Sequence, residues 1–484
     1  MDARSSIITR RDALIDGLWV EADDGARFPV QDPATGATLC EVPNLGAPET
    51  RRAIQAAARS FPLWRATPAK ERAAIMRRWF DLIVADEERL AQIITAEQGK
   101  PLAEARGEIA YAASYVDWFA EEGRRVYGDV LPVLAGGKRQ LVFKQPIGVV
   151  AAITPWNFPS AMFARKVGAA LAAGCAMVLK PAEQTPLSAL ALADLAMSAG
   201  VPVGVVNVVT ARDPAPVGLE LTRNPLVRKL SFTGSTTVGK ILLRQAAENV
   251  QKCSMELGGN APLIVFPDAD LDLAVAGAIA AKYRNGGQTC ISANRLLAHE
   301  SVIGEFAARL AARATALKVG DGREEGVDLG PLIEEAAVEK CERHIADAIA
   351  RGAKLLIGGG RHKLGGNFFE PTVLEGVKED ALIFNEETFG PVAPIASFTD
   401  EAEALRLANA TPFGLAAYFY SRDLSRIFRV AEALDFGMVG VNETQISSEI
   451  APFGGMKQSG LGREGSRYGI DDYLEIKYVC LGGV

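Results

Sequence analysis

Histidine is scarce in this sequence. The 484-residue chain holds only His299, His344 and His362. None stands at a ligand-like spacing from another, so a zinc or non-haem iron site is not expected. A Cys–His nucleophile pair would need a distant histidine to fold beside a cysteine. The nearest in sequence is His299, past Cys290 and in an expected strand. Cysteines are few and scattered. Cys40, Cys175, Cys253, Cys290, Cys341 and Cys480 form no C-x-x-C pair and no dense framework, which reads as free thiols. Long apolar runs are missing too. The longest, "VGAALAAGCAMVL" at 167–179, is too short to span a bilayer and stops at Lys180-Pro181. Residues 1–11 are polar and charged, unlike a secretory signal. Positive charge is not in excess. The net charge is −7, so neither nucleic acid nor an anionic membrane is expected as a partner. The expectation is a soluble, cytoplasmic protein, long enough for two or three domains.

What the sequence does have is a change of periodicity. Residues 47–123 read as helices: "ETRRAIQAAARSFPLW", a long stretch ending near Gly99, then "PLAEARGEIAYAASYVDWFAEEG". Beyond them, apolar runs alternate with helical patterns. "IGVVAAI" precedes "SAMFARKVGAALAAG", and "AMVLK" precedes "PLSALALADLAMSAG". "VGVVNVV" and "KLSF" follow, then "STTVGKILLRQAAEN". This alternation argues for a parallel sheet covered on both faces. A second β/α series runs from "APLIVF" to "GPVAPIASF". Two α/β lobes are expected, joined near Gly258-Gly259.

"FTGSTTVGK", Phe232 to Lys240, joins a strand to a helix. A helix start offers free N–H groups and a positive dipole end, suited to phosphate. It is not the G-x-G-x-x-G fingerprint. It misses the P-loop pattern because Ile241 stands where a Ser or Thr would hold magnesium. A plain strand-to-helix turn is the alternative.

"RNGGQTCIS", residues 284–292, sets Cys290 after Gly286, Gly287 and Thr289, where the backbone bends freely. A thiolate is a good nucleophile and later a good leaving group. A lone cysteine is otherwise a small buried hydrophobe, which is the expectation for the other five. The stretch has company. "TPWNFP", "KPAEQTP", "FTGS", "MELGGN", "GGQTC", "EETFGP" and "PFGGMKQSG" occur in that order over nearly the whole chain. Together they resemble the aldehyde dehydrogenase superfamily. The tail "PFGGMKQSGLGREGSRYGIDDYLEIKYVCLGG" looks most like the succinate-semialdehyde dehydrogenase branch.

The resemblance implies roles that the chemistry supports. Cys290 would add to an aldehyde, and the oxyanion formed needs preorganised donors. Asn157 and the Cys290 backbone N–H would supply them, although an Asn there could simply form a turn. Glu256 would be the general base that activates water against the thioester. Its apolar neighbours Met255 and Leu257 are consistent with partial burial and a poised pKa. For NAD or NADP, Lys180 and Glu183 would hold the adenosine ribose. Gly234 and Ser235 would lie near the diphosphate, with Thr154, Pro155 and Trp156 lining the cleft. Leu257 would contact the nicotinamide, and Glu387 with Phe389 would hold its ribose. A Glu183 carboxylate accepts ribose hydroxyls but repels a 2′-phosphate, so NAD is expected to be preferred, with NADP possible. Arg165, Arg284 and Ser447 would hold a distant substrate carboxylate, because guanidinium forks suit carboxylates.

Two departures from the family pattern stand out. Ala211 replaces a glycine in "VVTA", beside the adenine pocket. Ser292 replaces a second cysteine found in some relatives, which removes that route to a disulfide switch. The expected architecture is α/β, aldehyde-dehydrogenase-like. A Rossmann-like cofactor domain would span 1–127 and 147–257, and an α/β catalytic domain 258–455. A small β oligomerisation element would take 128–146 and 468–484, building a homodimer or homotetramer. The expected substrate is a semialdehyde, best succinate semialdehyde. Glutarate semialdehyde, 2-oxoglutarate semialdehyde, broad-range aldehydes and a catalytically silent protein of the same fold are the alternatives.

Overall fold

A strand such as "VVAAI" has no polar face and needs cover on both sides. The computed structural model describes residues 7–133 and 136–483 and gives it that cover. Val149 and Ala151 pack with Ile54, Val178, Leu230 and Leu242. Val150 and Ala152 pack with Trp79, Phe119, Phe163 and Leu190. The period of two thus sends alternate residues of Val149–Ile153 into separate cores. Its sheet has eight strands. They run Gly460–Leu461, Lys252–Glu256, Val227–Thr233, Val149–Ile153, Ala176–Lys180, Val206–Val208, Ala13–Ile15 and Leu18–Val20. The five from Lys252–Glu256 to Val206–Val208 are parallel. Chain order steps outward from Val149–Ile153 in one direction, then restarts on its other side at Val227–Thr233. That reversal opens a crevice at the C-terminal ends of these two strands, where doubly wound sheets bind ligands.

A second sheet has seven strands. They run Lys354–Ile357, Thr372–Glu375, Val392–Phe398, Ala293–His299, Ala261–Val265, Ala416–Tyr420 and Met438–Val441. Only Lys354–Ile357 is antiparallel to its neighbour. In the third sheet, Leu474–Gly482 pairs antiparallel with all of Lys138–Pro146, and Asp129–Leu131 lies on the far edge. Leu134 and Ala135, within the expected oligomerisation element, lie outside the described residues.

Several expectations change. The long helical stretch before Gly99 is two helices, Ala69–Ala85 and Glu87–Gln98, broken at Asp86. "VGVVNVV" contributes only Val206–Val208. Between it and "KLSF" lies an unforeseen helix, Pro214–Arg223, capped by Asp213, whose side chain accepts the Ala215 N–H at 3.0 Å. Its Pro-Ala-Pro start resembles a loop, yet proline suits the first turn of a helix. Gly460–Leu461 returns to the first sheet beside Met255 and Glu256. Cys40, Cys175 and Cys341 are buried as expected, but Cys253 is half-buried and Cys480 is exposed on the outer tail strand. Among the described residues, no helix is long and apolar enough to cross a membrane, and no cluster of His, Cys, Asp or Glu could hold a metal ion.

Candidate active site

The crevice collects residues scattered along the sequence because parallel strands all end on one side. Thr154 follows Val149–Ile153, and Lys180 ends Ala176–Lys180. Gly234 follows Val227–Thr233, and Glu256 ends Lys252–Glu256. The Thr154 N–H donates to the Lys180 carbonyl at 3.1 Å. Lys180 is buried, and its Nζ reaches the Pro181 carbonyl at 2.9 Å and Glu183 Oε2 at 3.3 Å. Burial pulls the Lys180 ammonium below its usual range. Ser235 caps helix Thr236–Ala246 by accepting the Val238 N–H at 3.3 Å. In the near P-loop motif, Lys240 donates to Gln458 Oε1 at 2.8 Å. Beside partly exposed Pro155, the Trp156 ring meets Phe389 edge-on, with centroids 5.5 Å apart. Glu387 Oε1 accepts the Gly259 N–H at 3.0 Å, and burial lifts its carboxyl to about 7. The Leu257 N–H donates to the Ser459 carbonyl at 2.9 Å. Ala211 is buried among Val209, Val217 and Leu221, away from solvent.

The cysteine loop is held rather than loose. Asn285, Gly286 and Gly287 are left-handed in succession, with φ of 53°, 63° and 76°. A Cβ at Gly287 would stand 2.2 Å from the Gly390 carbonyl oxygen, so only glycine fits. A Cβ at Gly259 would stand 2.4 Å from the Cys290 carbonyl oxygen. The E-L-G-G segment that starts at Glu256 therefore packs backbone-to-backbone on the Cys290 loop.

Cys290 opens onto a cavity of about 330 Å³ that Arg165, Arg284, Ser447, Tyr111 and Phe453 also line. Burial, with the Glu387 and Glu256 carboxylates, pushes its thiol up to about 12. Glu256 is 4% exposed, a deeper burial than its neighbours alone suggested. Its Oε2 is buried with no hydrogen-bond partner. Burial and the nearby Glu464 carboxylate hold Glu256 well above the usual carboxylate range. Glu464 goes the other way. Burial opposes its charge, but Lys166 at 2.6 Å and Arg165 at 3.6 Å outweigh it and lower its pKa. Asn157 is buried and donates from Nδ2 to the Gln288 carbonyl at 3.0 Å. An amide NH₂ carries two hydrogens, so one N–H remains available.

On the same cavity, Arg165 is 2% exposed. It donates to Ser447 Oγ at 3.0 Å and to the Tyr111 hydroxyl, and lies over the Phe453 ring at 4.1 Å. Its Nε is buried without a hydrogen-bond partner. Arg284 is exposed, lines the same cavity and lies over the Phe158 ring at 5.4 Å. Glu183 does not share this cavity. It borders a second one, of about 460 Å³, with Arg212 and Gln184. His299 bonds Ser301 and the Thr399 carbonyl, so it is no partner of Cys290. Ser292, two residues past Cys290, is buried. Sequence reasoning missed Tyr111, Lys100, Glu108 and Glu464. The available signal was an acid, Glu108, inside the apolar pattern of helix Leu102–Glu122.

A sequence profile described as the Aldehyde dehydrogenase family matches residues 19–479. The chain belongs to the aldehyde dehydrogenase family. It is 60% identical, over 482 residues and the full length of both chains, to the NADP(+) succinate-semialdehyde dehydrogenase of Escherichia coli. It is 59% identical, over 484 residues and again all of both chains, to the glutarate-semialdehyde dehydrogenase of Pseudomonas aeruginosa. The crystal structure of succinate-semialdehyde dehydrogenase from Burkholderia pseudomallei matches with a TM-score of 0.97 at 63% identity, covering 99% of this chain and 98% of that one. The chain is an NAD(P)-dependent aldehyde dehydrogenase by family, so the catalytically silent alternative falls away.

Proposed function

We propose that the protein oxidises a short semialdehyde with a carboxylate at its far end, succinate semialdehyde first among them, to the corresponding diacid. One observation carries this reading. The cavity that holds Cys290 is also lined by a buried cation, Arg165, and by an exposed one, Arg284. A guanidinium fork suits a carboxylate, and the Ser447 hydroxyl lies beside Arg165.

The chemistry follows from the residues present. The Cys290 thiol gives its proton to solvent water, and its sulfur adds to the aldehyde carbon. The oxyanion takes the free Asn157 amide N–H and the Cys290 backbone N–H. Loss of hydride leaves a thioester on Cys290. Glu256 then takes a proton from water as its oxygen attacks the thioester carbon. The thiolate leaves, and the acid is released. An oxidised nicotinamide bound in the crevice supplies the hydride acceptor. The crevice suits it: a Ser235-capped helix start, Gly234 and Lys180 lie at the strand ends, and Glu387 with Phe389 lies beyond. Glu183 favours the ribose diol of NAD over a 2′-phosphate, so NAD is the preferred cofactor. Hydrolysis at Glu256 argues against a CoA-acylating relative.

The cofactor-binding part takes residues 1–127 and 147–257, and the catalytic part 258–455, with 128–146 and 468–484 joining copies in a cytoplasmic homodimer or homotetramer. The third sheet supports this, since its outer strand Leu474–Gly482 leaves one edge unpaired and exposes Ile476, Tyr478 and Leu481. The deciding experiment is a steady-state panel of four- and five-carbon semialdehydes against butanal, with NAD and NADP. Butanal matching succinate semialdehyde in kcat/KM would overturn the substrate assignment. Glutarate semialdehyde exceeding succinate semialdehyde would move it one methylene outward.

A further inference from the structure

Behind the oxyanion donor lies a buried ion pair that the proposed chemistry does not use. Lys100 Nζ meets Glu108 Oε2 at 2.6 Å, and both side chains are fully buried. Lys100 also donates to the backbone carbonyl of Asn157 at 2.8 Å and sits over the Phe158 ring at 3.8 Å. Glu108 uses its other oxygen, Oε1, to accept the N–H groups of Ser160 and Ala161 at 2.9 and 3.2 Å. Those N–H groups open helix Pro159–Ala173, directly after the "TPWNFP" turn. One member of the pair therefore holds the carbonyl of Asn157, and the other holds the helix start that follows it.

The strap extends to the nucleophile. Asn285 Nδ2 donates to the same Asn157 carbonyl at 3.0 Å. Gln98 Nε2 donates to Asn285 Oδ1 at 3.0 Å, and Gln98 Oε1 accepts the Lys100 N–H at 3.0 Å. Glu104 accepts the Asn285 N–H at 2.9 Å. Asn285 is the first left-handed residue of the loop that carries Cys290. The Asn157 backbone, the cysteine loop and the turn before helix Leu102–Glu122 thus close into one buried hydrogen-bonded ring.

We infer that Lys100 and Glu108 are positioning residues that aim the Asn157 amide at the oxyanion and lock it in register with Cys290. Neither donates to the reacting atoms. Both act through the direction of the Asn157 side chain, which a small misplacement would weaken. The inference rests on the reading of Asn157 as the oxyanion donor.

The test is a double-mutant cycle in the full-length protein. Lys100→Met alone would strand a buried carboxylate, so the paired variant Lys100→Met/Glu108→Gln, which leaves no unpaired charge, is made beside it. Each is measured alone and with Asn157→Ala. Asn157→Ala should lower kcat by roughly a hundred- to a thousandfold. The paired variant should lower kcat about ten- to a hundredfold, with KM for the aldehyde within about twofold. In the Asn157→Ala background the same paired change should cost less than about twofold more, because residues acting as one unit are not additive. Losses that multiply, or a paired variant with wild-type kcat, would overturn the positioning role while leaving the Asn157 assignment intact. A near-normal Asn157→Ala enzyme would instead remove the reading beneath it. Should the paired variant not fold, Lys100→Leu/Glu108→Gln, which also leaves no unpaired charge and keeps an oxygen for the helix N–H groups, carries the same cycle with the same two outcomes.

Discussion

Replacing Arg165 by alanine separates a substrate clamp from a prop of the fold. The guanidinium has two jobs in the structure. It lines the cavity that holds Cys290. It also neutralises Glu464 at 3.6 Å and packs on Tyr111, Tyr115 and Phe453. A single kinetic constant would mix the two losses, but two substrates separate them. A charge-assisted hydrogen bond contributes about 1.5–3 kcal/mol, so the clamp should account for roughly a ten- to a hundredfold loss in kcat/KM for succinate semialdehyde. Butanal has the same chain length and no carboxylate, so it reports only the structural loss. That loss is limited because Glu464 keeps Lys166 at 2.6 Å.

Arg284→Ala is the cleaner companion. Arg284 is exposed, makes no ion pair among the described residues, and lies 5.4 Å from the Phe158 ring centre. Its removal should leave butanal unchanged and weaken succinate semialdehyde, by less than the buried Arg165 does, because solvent screens an exposed cation. The measurement is initial-rate kcat/KM for both aldehydes at saturating cofactor in wild type and each variant. Equal losses for the two aldehydes in both variants would refute the clamp. So would a wild-type enzyme that prefers butanal. Family membership survives either result.

The placement of much of the candidate site was legible because its residues sit at strand ends, and a strand end is a local event. Thr154, Lys180, Gly234 and Glu256 each close an apolar run, and the doubly wound topology brings those ends together. The left-handed bend before Cys290 was foreshadowed by its two glycines. Lys100, Tyr111, Glu108 and Glu464 were not legible, because each acts across a tertiary contact that no local pattern encodes. Glu464 stood in plain view within "GREGSRYG", but only folding places it on Lys166. Other misses had signals. "LIDGLW" carries Asp-Gly between apolar residues, a strong hairpin cue. Asp16 and Gly17 do take positive φ, 54° and 74°, between strands Ala13–Ile15 and Leu18–Val20. The exposure of Cys480 could not be read from its neighbours, because the outer strand of a third sheet is defined by what fails to cover it.

The remaining expectations concern the base, the cofactor and pH. Glu256→Gln should still release a stoichiometric burst of reduced cofactor and then stall, because thioester formation does not need the carboxylate and its hydrolysis does. An unchanged steady-state rate without a burst would assign the base elsewhere, and Cys290→Ser should show neither phase. Glu183→Ser should move the NAD/NADP ratio of kcat/KM toward NADP, since it removes the charge that repels a 2′-phosphate while Lys180 stays at the strand end. A wild-type enzyme already favouring NADP would void that role for Glu183. For pH, the sign follows from burial. An ordinary glutamate is fully ionised above about pH 6, and an enzyme resting on one would plateau there. Burial and Glu464 raise the Glu256 carboxyl, and burial raises the Cys290 thiol to about 12. Both groups must lose a proton to act, and both hold it more tightly than usual. With hydrolysis limiting, kcat should therefore keep climbing through neutral pH into the alkaline range. Glu256→Gln should flatten the part of that rise that reports hydrolysis, because glutamine has no proton to lose. A flat wild-type profile between about pH 6 and 9 would mean that the cavity does not hold Glu256 protonated at rest.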